Sequence, residues 1–334
     1  MDFPKNLSTS VALCTYNGGR FLRRQLESIS AQTLAPQEVI VGDDGSTDDT
    51  LEIVARWAEE VSFPVKILKN EKNLGYAKNF ENVISHCTGD VVFLSDQDDV
   101  WHPERIARTT QIFAEKPEVG AVFCNANLID ENESPIGMDL ITYTKPWHCL
   151  REPGWLFPEA AAEEIAIFGC AAAIRKTLAE TLFPMPDAWG HDVWIYGFSR
   201  YLAEVEVLAE PLFDYRLHGK NVSMKLGTDA YETWRKAYFR EAVYLFRLYA
   251  QKREDIRRHL TKLPDSPRKT RHLAFLSRQE KHLARRAKIQ ENPFRYFPLW
   301  LWEFFTGGYF RFPQPIRSFL FDMKEGLMGE QVGR

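Results

Sequence analysis

The stretch Phe93-Leu94-Ser95-Asp96-Gln97-Asp98-Asp99-Val100-Trp101 runs an apolar segment straight into three carboxylates within four positions, then a tryptophan. Carboxylates this close repel one another and are costly to desolvate, so either they turn into water or a cation shares them. The surrounding chain gives the stretch a place. Segments 1–130 alternate strand-like and helix-like runs at the spacing of βαβ units around a mostly parallel sheet. Strands are expected over 10–16, 38–42, 65–68, 90–94 and 121–128. Helices are expected over 20–31, with Phe21, Leu22, Leu26 and Ile29 on one face, over 48–60 and 76–87, and from Pro103 onward. Ser46 or Thr47 would cap the second of these. In open α/β sheets ligands gather outside the carboxyl ends of the strands, and polar clusters fall there repeatedly. They are Thr15-Tyr16-Asn17-Gly18-Gly19, Asp43-Asp44-Gly45-Ser46 and the acidic stretch itself.

The 334 residues have room for a large domain or a domain with an accessory part, and 45% hydrophobic against 26% charged residues is ordinary for a globular protein. Cys14, Cys87, Cys124, Cys149 and Cys170 are odd in number, scattered and without a CxxC pair. They read as reduced, buried thiols of a cytoplasmic protein, not a disulfide framework or zinc site. The N-terminus lacks the pattern of a signal peptide, and no apolar run approaches the ~18 residues of a membrane span. The net charge of -4 hides an asymmetry. Residues 1–225 hold 20 Lys+Arg against 34 Asp+Glu, and residues 226–334 hold 22 against 12.

Beyond 130 the alternation weakens. A Pro- and Trp-bearing stretch over 146–158 reads as loop, 165–174 as a strand interrupted by Gly169, 189–203 as a helix opened by Trp189-Gly190-His191-Asp192, and 205–218 as a strand. From 225 the pattern turns helical and basic, over 231–259 and 268–290, and ends in an aromatic segment. The organisation is therefore an α/β part over 1–225, regular over 1–130 and weaker over 131–225, followed by a helical extension over 226–334.

Oxygen ligands such as Asp96, Asp98 and Asp99 suit Mg²⁺ or Mn²⁺ holding substrate phosphates, and equally suit a solvated acidic turn. Asp43-Asp44-Gly45-Ser46 reads as an ordinary turn or as a carboxylate that accepts from a nucleobase imide. The order Thr15-Tyr16-Asn17, Gln32-Thr33, Glu38 through Asp48, Asn73-Leu74-Gly75, Gly89-Asp90 and Asp96-Gln97-Asp98-Asp99 resembles the family 2 glycosyltransferases. That resemblance implies the GT-A fold, a Rossmann-like mixed α/β sheet that binds a nucleotide-activated sugar beside an Asp-x-Asp metal motif, and so makes 1–225 the catalytic domain, with a nucleotide-binding half over 1–130 and an acceptor half over 131–225. It implies Thr15, Tyr16, Asn17, Asp44, Asn73 and Asp96 in nucleotide binding, with Lys78 either near the diphosphate or a surface charge. Asp96, Asp98 and Asp99 would hold the metal, Asp98 first among them. His218 would either join them or sit in a turn before Gly219.

The later succession Gly169-Cys170, Gly190-His191-Asp192-Val193-Trp194 and Tyr215 through Ser223 is similar to bacterial rhamnosyltransferase-like members that build surface polysaccharides. The resemblance makes Asp192 the catalytic base, its other reading being a helix cap, and leaves His191 beside it without a fixed role. Gly169 allows close backbone approach to sugar or acceptor, and Trp194 reads as a packing residue or as an aromatic face beside the sugar. The expected reaction is inverting transfer of rhamnose or another hexose from a dTDP- or UDP-sugar to a cell-surface or lipid-linked glycan. A nucleotidyltransferase and a silent sugar-nucleotide-binding scaffold are the rivals.

In the extension, Arg235-Lys236, Lys252-Arg253, Arg257-Arg258, Arg268-Lys269 and Arg285-Arg286 sit among apolar positions, and residues 294–321 mix tryptophan, phenylalanine and arginine. A solvated helix face, an oligomer interface and peripheral attachment to the inner face of the cell membrane all fit this pattern. No nucleic-acid-binding motif is present.

Overall fold

A computed structural model describes residues 7–143, 168–187, 189–219, 221, 242–292 and 295–305. The chain packs into two compact units, residues 1–146 with 164–226, and residues 147–163 with 227–334.

The first unit is built on β1 (Thr9–Thr15), α1 (Gly19–Ser30), β2 (Glu38–Asp43), α2 (Thr50–Glu60), β3 (Val65–Lys69), α3 (Tyr76–His86) and β4 (Val91–Ser95). The sheet continues through β5 (Val100–Trp101), α4 (Arg105–Glu115), β6 (Val119–Ile129), β7 (Pro135–Asp139), β8 (Ala172–Arg175), α5 (Lys176–Leu182), α6 (His191–Leu202) and β9 (Glu204–Arg216). Strand order is β3-β2-β1-β4-β8-β6-β9-β5, with β7 also on β6. The chain lays β2 and β3 on one side of β1 and returns to place β4 on the other, so the order reverses at β1. That reversal opens a crevice at the carboxyl ends of β1 and β4, where the loops after the strands diverge.

Val11, Leu13, Val39, Val41, Val91 and Phe93 are fully buried, as continuous apolar strands covered on both faces should be. Leu22, Leu26 and Ile29 of α1 meet them at helical spacing. Two polar residues of α1 are buried as well. Ser28 Oγ accepts from Trp101 N, and the Gln25 amide, oriented to satisfy its neighbours, donates to Asp99 O and accepts from Ser95 Oγ and Trp101 Nε1.

The sheet is more mixed than the βαβ rhythm predicts. β8 is antiparallel to both β4 and β6, and β5 is antiparallel to β9. β5, β7 and α5 have no counterpart among the expected elements, because they are short and held by pairing or packing rather than by their own periodicity. Helix α2 begins at Thr50 after Asp49, which makes no side-chain cap, so neither Ser46 nor Thr47 caps it. Their side chains are used between loops instead. Helix α4 starts at Arg105, two residues past Pro103.

The second unit contains α7 (Ala242–Thr261), α8 (Pro267–Glu291) and α9 (Phe297–Phe305). Ser266 caps α8 by accepting from Lys269 N at 3.0 Å, and Pro267 takes the first turn, where no N–H is needed. Trp300 packs on Ile289, and the buried Glu303 accepts from His282 Nδ1 at 2.6 Å and pairs with Arg285. Burial works to raise the Glu303 pKa, but these two partners outweigh it and hold the carboxyl below the usual range. No described helix is long and apolar enough to cross a membrane. Cys149, the loop over 146–158, the start of the strand expected over 165–174, the first turns of the helix expected over 231–259, Arg235-Lys236 and the segment beyond 305 lie outside the described residues.

Gly89, at the entry to β4, tests the fit of this sheet. A methyl there would come within 2.7 Å of Ser10 N and 2.8 Å of the Thr9 carbonyl carbon, both backbone atoms that cannot swing aside. Gly89→Ala should destabilise the protein by about 2 kcal/mol, read as a lower urea midpoint with an unchanged denaturant slope.

Candidate active site

Two loops at the sheet reversal are tied by side chains that reach across the crevice. Gln97, the middle residue of the acidic motif, accepts from Tyr16 N at 2.8 Å and donates to Tyr16 O at 3.1 Å, gripping both backbone polar groups of that residue. Tyr16 itself is about half exposed over the crevice. Asn17 adopts a left-handed conformation at φ 47°. It donates its N–H to Ser46 Oγ and accepts from Thr47 N, each at 2.8 Å. Asn tolerates this conformation better than most residues, and the cost is met by locking the β1 loop to the β2 loop.

Asp43 is fully buried and accepts from Thr15 Oγ1, Ser46 Oγ, Ser46 N and Gly45 N. Thr15 thus points into the loop scaffold. Asp44 Oδ1 accepts from Leu74 N and Asn70 Nδ2, while its Oδ2 accepts from Gly75 N. Three of its roughly four acceptor positions are filled. Asn73 completes this turn by donating to Asp44 O and accepting from Gly75 N, and Gly75, at φ +79°, supplies the backbone that only glycine adopts readily.

The acidic residues converge with partners distant in sequence. Pairing of β4 with β8 sets the turn Gly169–Ala171 beside the end of β4, and β9 delivers Arg216 and His218 against Asp98 and Asp99. Asp96, Asp99 and Cys170 each offer one ligand atom, all within 4.8 Å of one another. Asp98 Oδ2 lies 2.9 Å from His218 Nε2, whose ring rests 5.0 Å from that of Phe21. Asp99 is buried, and its Oδ2 has no hydrogen-bond partner among the described residues. Burial and the neighbouring Asp98 and Asp192 push the Asp96 carboxyl up to about 7, and burial with Asp98 and Asp96 drives Asp99 well above the carboxylate range.

Neither Arg105 nor Arg216 is among the site residues expected from the sequence, although Arg216 lies in the Tyr215–Ser223 motif. Both are about 1% exposed. Arg105 donates to Cys170 O, and its guanidinium lies 4.0 Å from the Trp101 ring and 4.7 Å from that of Phe213. Arg216 Nε donates to Asp98 O at 2.8 Å, its Nη2 pairs with Glu133, and its guanidinium lies over Phe21. A buried cation flanked by rings is a usual arginine environment, but nothing in the local pattern near Arg105 marks it.

On the far side of the crevice, α6 opens with His191 and Asp192. Asp192 Oδ1 accepts from Val193 N at the helix start, where the backbone dipole favours a negative charge. Asp192 also acts on Asp96, and together with burial it raises the Tyr76 hydroxyl pKa. His191 is buried, stacked 4.2 Å from Phe80 and edge-on to Tyr76, and neither ring nitrogen has a partner among the described residues. Burial lowers its pKa, so the ring is neutral. Its Nε2 fills the space where a Gly169 side chain would start, 1.9 Å from an ideal Cβ.

Two expected site residues lie elsewhere. Trp194 is fully buried, donates Nε1 to Leu182 O and packs on Trp189 and Phe198, because its place on α6 faces inward. Lys78 donates to Met185 O and pairs with Glu81 and Asp187, which turns its ammonium toward the 185–187 loop.

Residues 10–182 match the family described as Glycosyl transferase family 2. The chain belongs to glycosyl transferase family 2. It is 29% identical over 229 residues to an uncharacterized glycosyltransferase of Nostoc sp., covering 65% of this chain and 67% of the relative. It is 35% identical over 127 residues to the amylovoran biosynthesis glycosyltransferase AmsE of Erwinia amylovora, covering 37% of this chain and 46% of that one. Among solved structures, TarS of S. aureus in complex with UDP-GlcNAc superposes with a TM-score of 0.54 at 16% identity, over 82% of this chain and 72% of that one. The mannosyltransferase PcManGT of Pyrobaculum calidifontis, in complex with GDP-Man and Mn²⁺, gives 0.51 at 18% identity, over 99% and 90%. The α/β architecture is thus GT-A-like, with a helical C-terminal region, and the family is one of glycosyltransferases.

The raised Asp96 pKa has a measurable consequence. The folded protein holds this proton more tightly than the unfolded chain, so its stabilising effect is full at pH below about 4 and is lost as pH rises through about 7. Between pH 5 and 8 the metal-free protein should therefore lose more stability than Asp96→Asn, as measured by urea titration at each pH.

Proposed function

We propose that the protein is an inverting, cation-dependent glycosyltransferase that uses a dTDP- or UDP-sugar, with rhamnose or another hexose as the transferred group. The observation that carries this reading is the meeting of Asp96, Asp98, Asp99 and His218 with Asp192 around the crevice of the sheet reversal. In this reading Tyr16 stacks on or lies beside the base, and Asp44 offers its remaining acceptor position to the imide N–H while it fixes the Asn73-Leu74-Gly75 turn.

The donor set fits a hard divalent cation. Three carboxylates crowd one strand end, one buried oxygen of Asp99 lacks a partner among the described residues, and a cation would offset the burial and the repulsion that raise the Asp96 and Asp99 pKa values. Asp98 with His218, backed by Asp96 and Asp99, would hold Mg²⁺ or Mn²⁺, which when bound offsets the charge that develops on the departing diphosphate. Asp192 removes the acceptor hydroxyl proton. The freed oxygen pair forms the new bond to the anomeric carbon as the bond to phosphate breaks and its electron pair leaves with the nucleoside diphosphate. Neutral His191 and the close backbone at Gly169 shape the wall beside that hydroxyl. The acceptor in this reading is a cell-surface glycan built on a lipid carrier at the inner face of the membrane.

Isothermal titration with UDP and dTDP, with and without Mn²⁺, tests the donor half. Binding should be cation-dependent, and Asp98→Asn should weaken it about tenfold or more; absent or cation-independent binding favours a silent scaffold. Donor turnover with released nucleoside diphosphate as the readout tests the base. Asp192→Asn should lower kcat about 10³-fold while nucleotide affinity stays within about twofold.

A further inference from the structure

The cations of the extension sort into buried and exposed sets once folded. Lys252 and Arg253 are both buried, as are Lys269 and Arg286. The exposed cations of α8 are instead Arg271, Arg278, Lys281 and Lys288, with Arg285 partly exposed. At 3.6 residues per turn these five positions fall within an arc of about 100° and form one stripe along a helix about 37 Å long. Among the described residues, Glu291 in the last turn is the one exposed carboxylate of α8, while Glu280 faces Arg257 and Glu303 is buried against His282 and Arg285. The stripe is not neutralised by its own helix. Beyond it Arg295 is exposed, and α9 exposes Phe297, Trp302 and Phe305, the last at 79%. The Arg285 guanidinium, 4.5 Å from the Trp302 ring, joins the stripe to the aromatic face.

We propose that the α8 stripe and the exposed aromatics of α9 form a docking surface for the headgroup region of an anionic lipid bilayer. A row of cations on one face complements a plane of negative headgroups, and tryptophan and phenylalanine at its end suit the boundary between headgroup and acyl chain. Single-stranded nucleic acid would favour aromatics interleaved with the cations, whereas here they follow the stripe at one end. The inference deepens the membrane-face reading above and rests on it, but uses none of the residues assigned to donor binding or catalysis.

The test is co-sedimentation of the full chain with vesicles of phosphatidylcholine alone or mixed with phosphatidylglycerol, with UDP titration in Mn²⁺ run in parallel. Binding should require phosphatidylglycerol and fall with added salt. Arg278→Gln with Lys281→Gln should lower partitioning about 25-fold, the equivalent of ~1 kcal/mol per cation, and Phe305→Ser should weaken it several-fold, with circular dichroism unchanged in both. Equal sedimentation of these variants and the parent would overturn the surface, as would equal binding to phosphatidylcholine alone or preference for single-stranded RNA. Failed vesicle binding with retained UDP affinity would overturn it and leave the transfer reading standing. Vesicle binding without UDP affinity would support the surface and count against transfer.

Discussion

Three carboxylates in four residues cannot share a buried strand end without counter-charge, and much of the first unit is arranged around that constraint. Arg105 comes from the following helix and Arg216 and His218 from the end of β9, while Gln25 reaches up from α1 to hold the Asp99 carbonyl. These partners fix the loop but do not offset the burial of the carboxyls and their mutual repulsion, which together raise the Asp96 and Asp99 pKa values. Repulsion that the fold tolerates without relieving marks the place where a cation and its phosphates would be welcome.

The crevice is as much a product of the neutral polar residues as of the charged ones. Gln97 grips the Tyr16 backbone, Asn17 is bonded to both Ser46 and Thr47, and Asp43 and Asp44 each gather several donors from the loops around them. Loops joined this way present the exposed Tyr16 ring from a rigid base, which reduces the ordering cost when a flat ligand binds.

The residues of the candidate site are unevenly legible in the chain. Asp96, Asp98 and Asp192 stand out as candidates because strand ends in an α/β alternation are ligand positions and the motifs keep their order. Trp194 reads as packing or as a sugar-facing aromatic, and the phase of α6 turns it into the core. Lys78 reads as a diphosphate contact or a surface charge, and a carbonyl and two carboxylates draw it to the 185–187 loop. Arg105 carried no signal, since its role depends on Trp101, Phe213 and Cys170 meeting it in space. In the extension, adjacent basic residues suggested surface charges, but folding buries both Lys252 and Arg253 and, of Arg285 and Arg286, the second.

By itself the sequence determined the alternating elements of the first 130 residues, the parallel strands β1 to β4, the acidic strand end and the change to basic helices, because each is written in local periodicity and composition. Tertiary structure decided the antiparallel strands β5, β7 and β8, the pairing of Asp98 with His218, the enclosure of Asp99 and Cys170, and the sorting of cations into buried and exposed sets. The physical reason is range. Periodicity records how a segment meets its own neighbours, whereas pKa, burial and side-chain pairing depend on groups that only folding brings within a few ångströms.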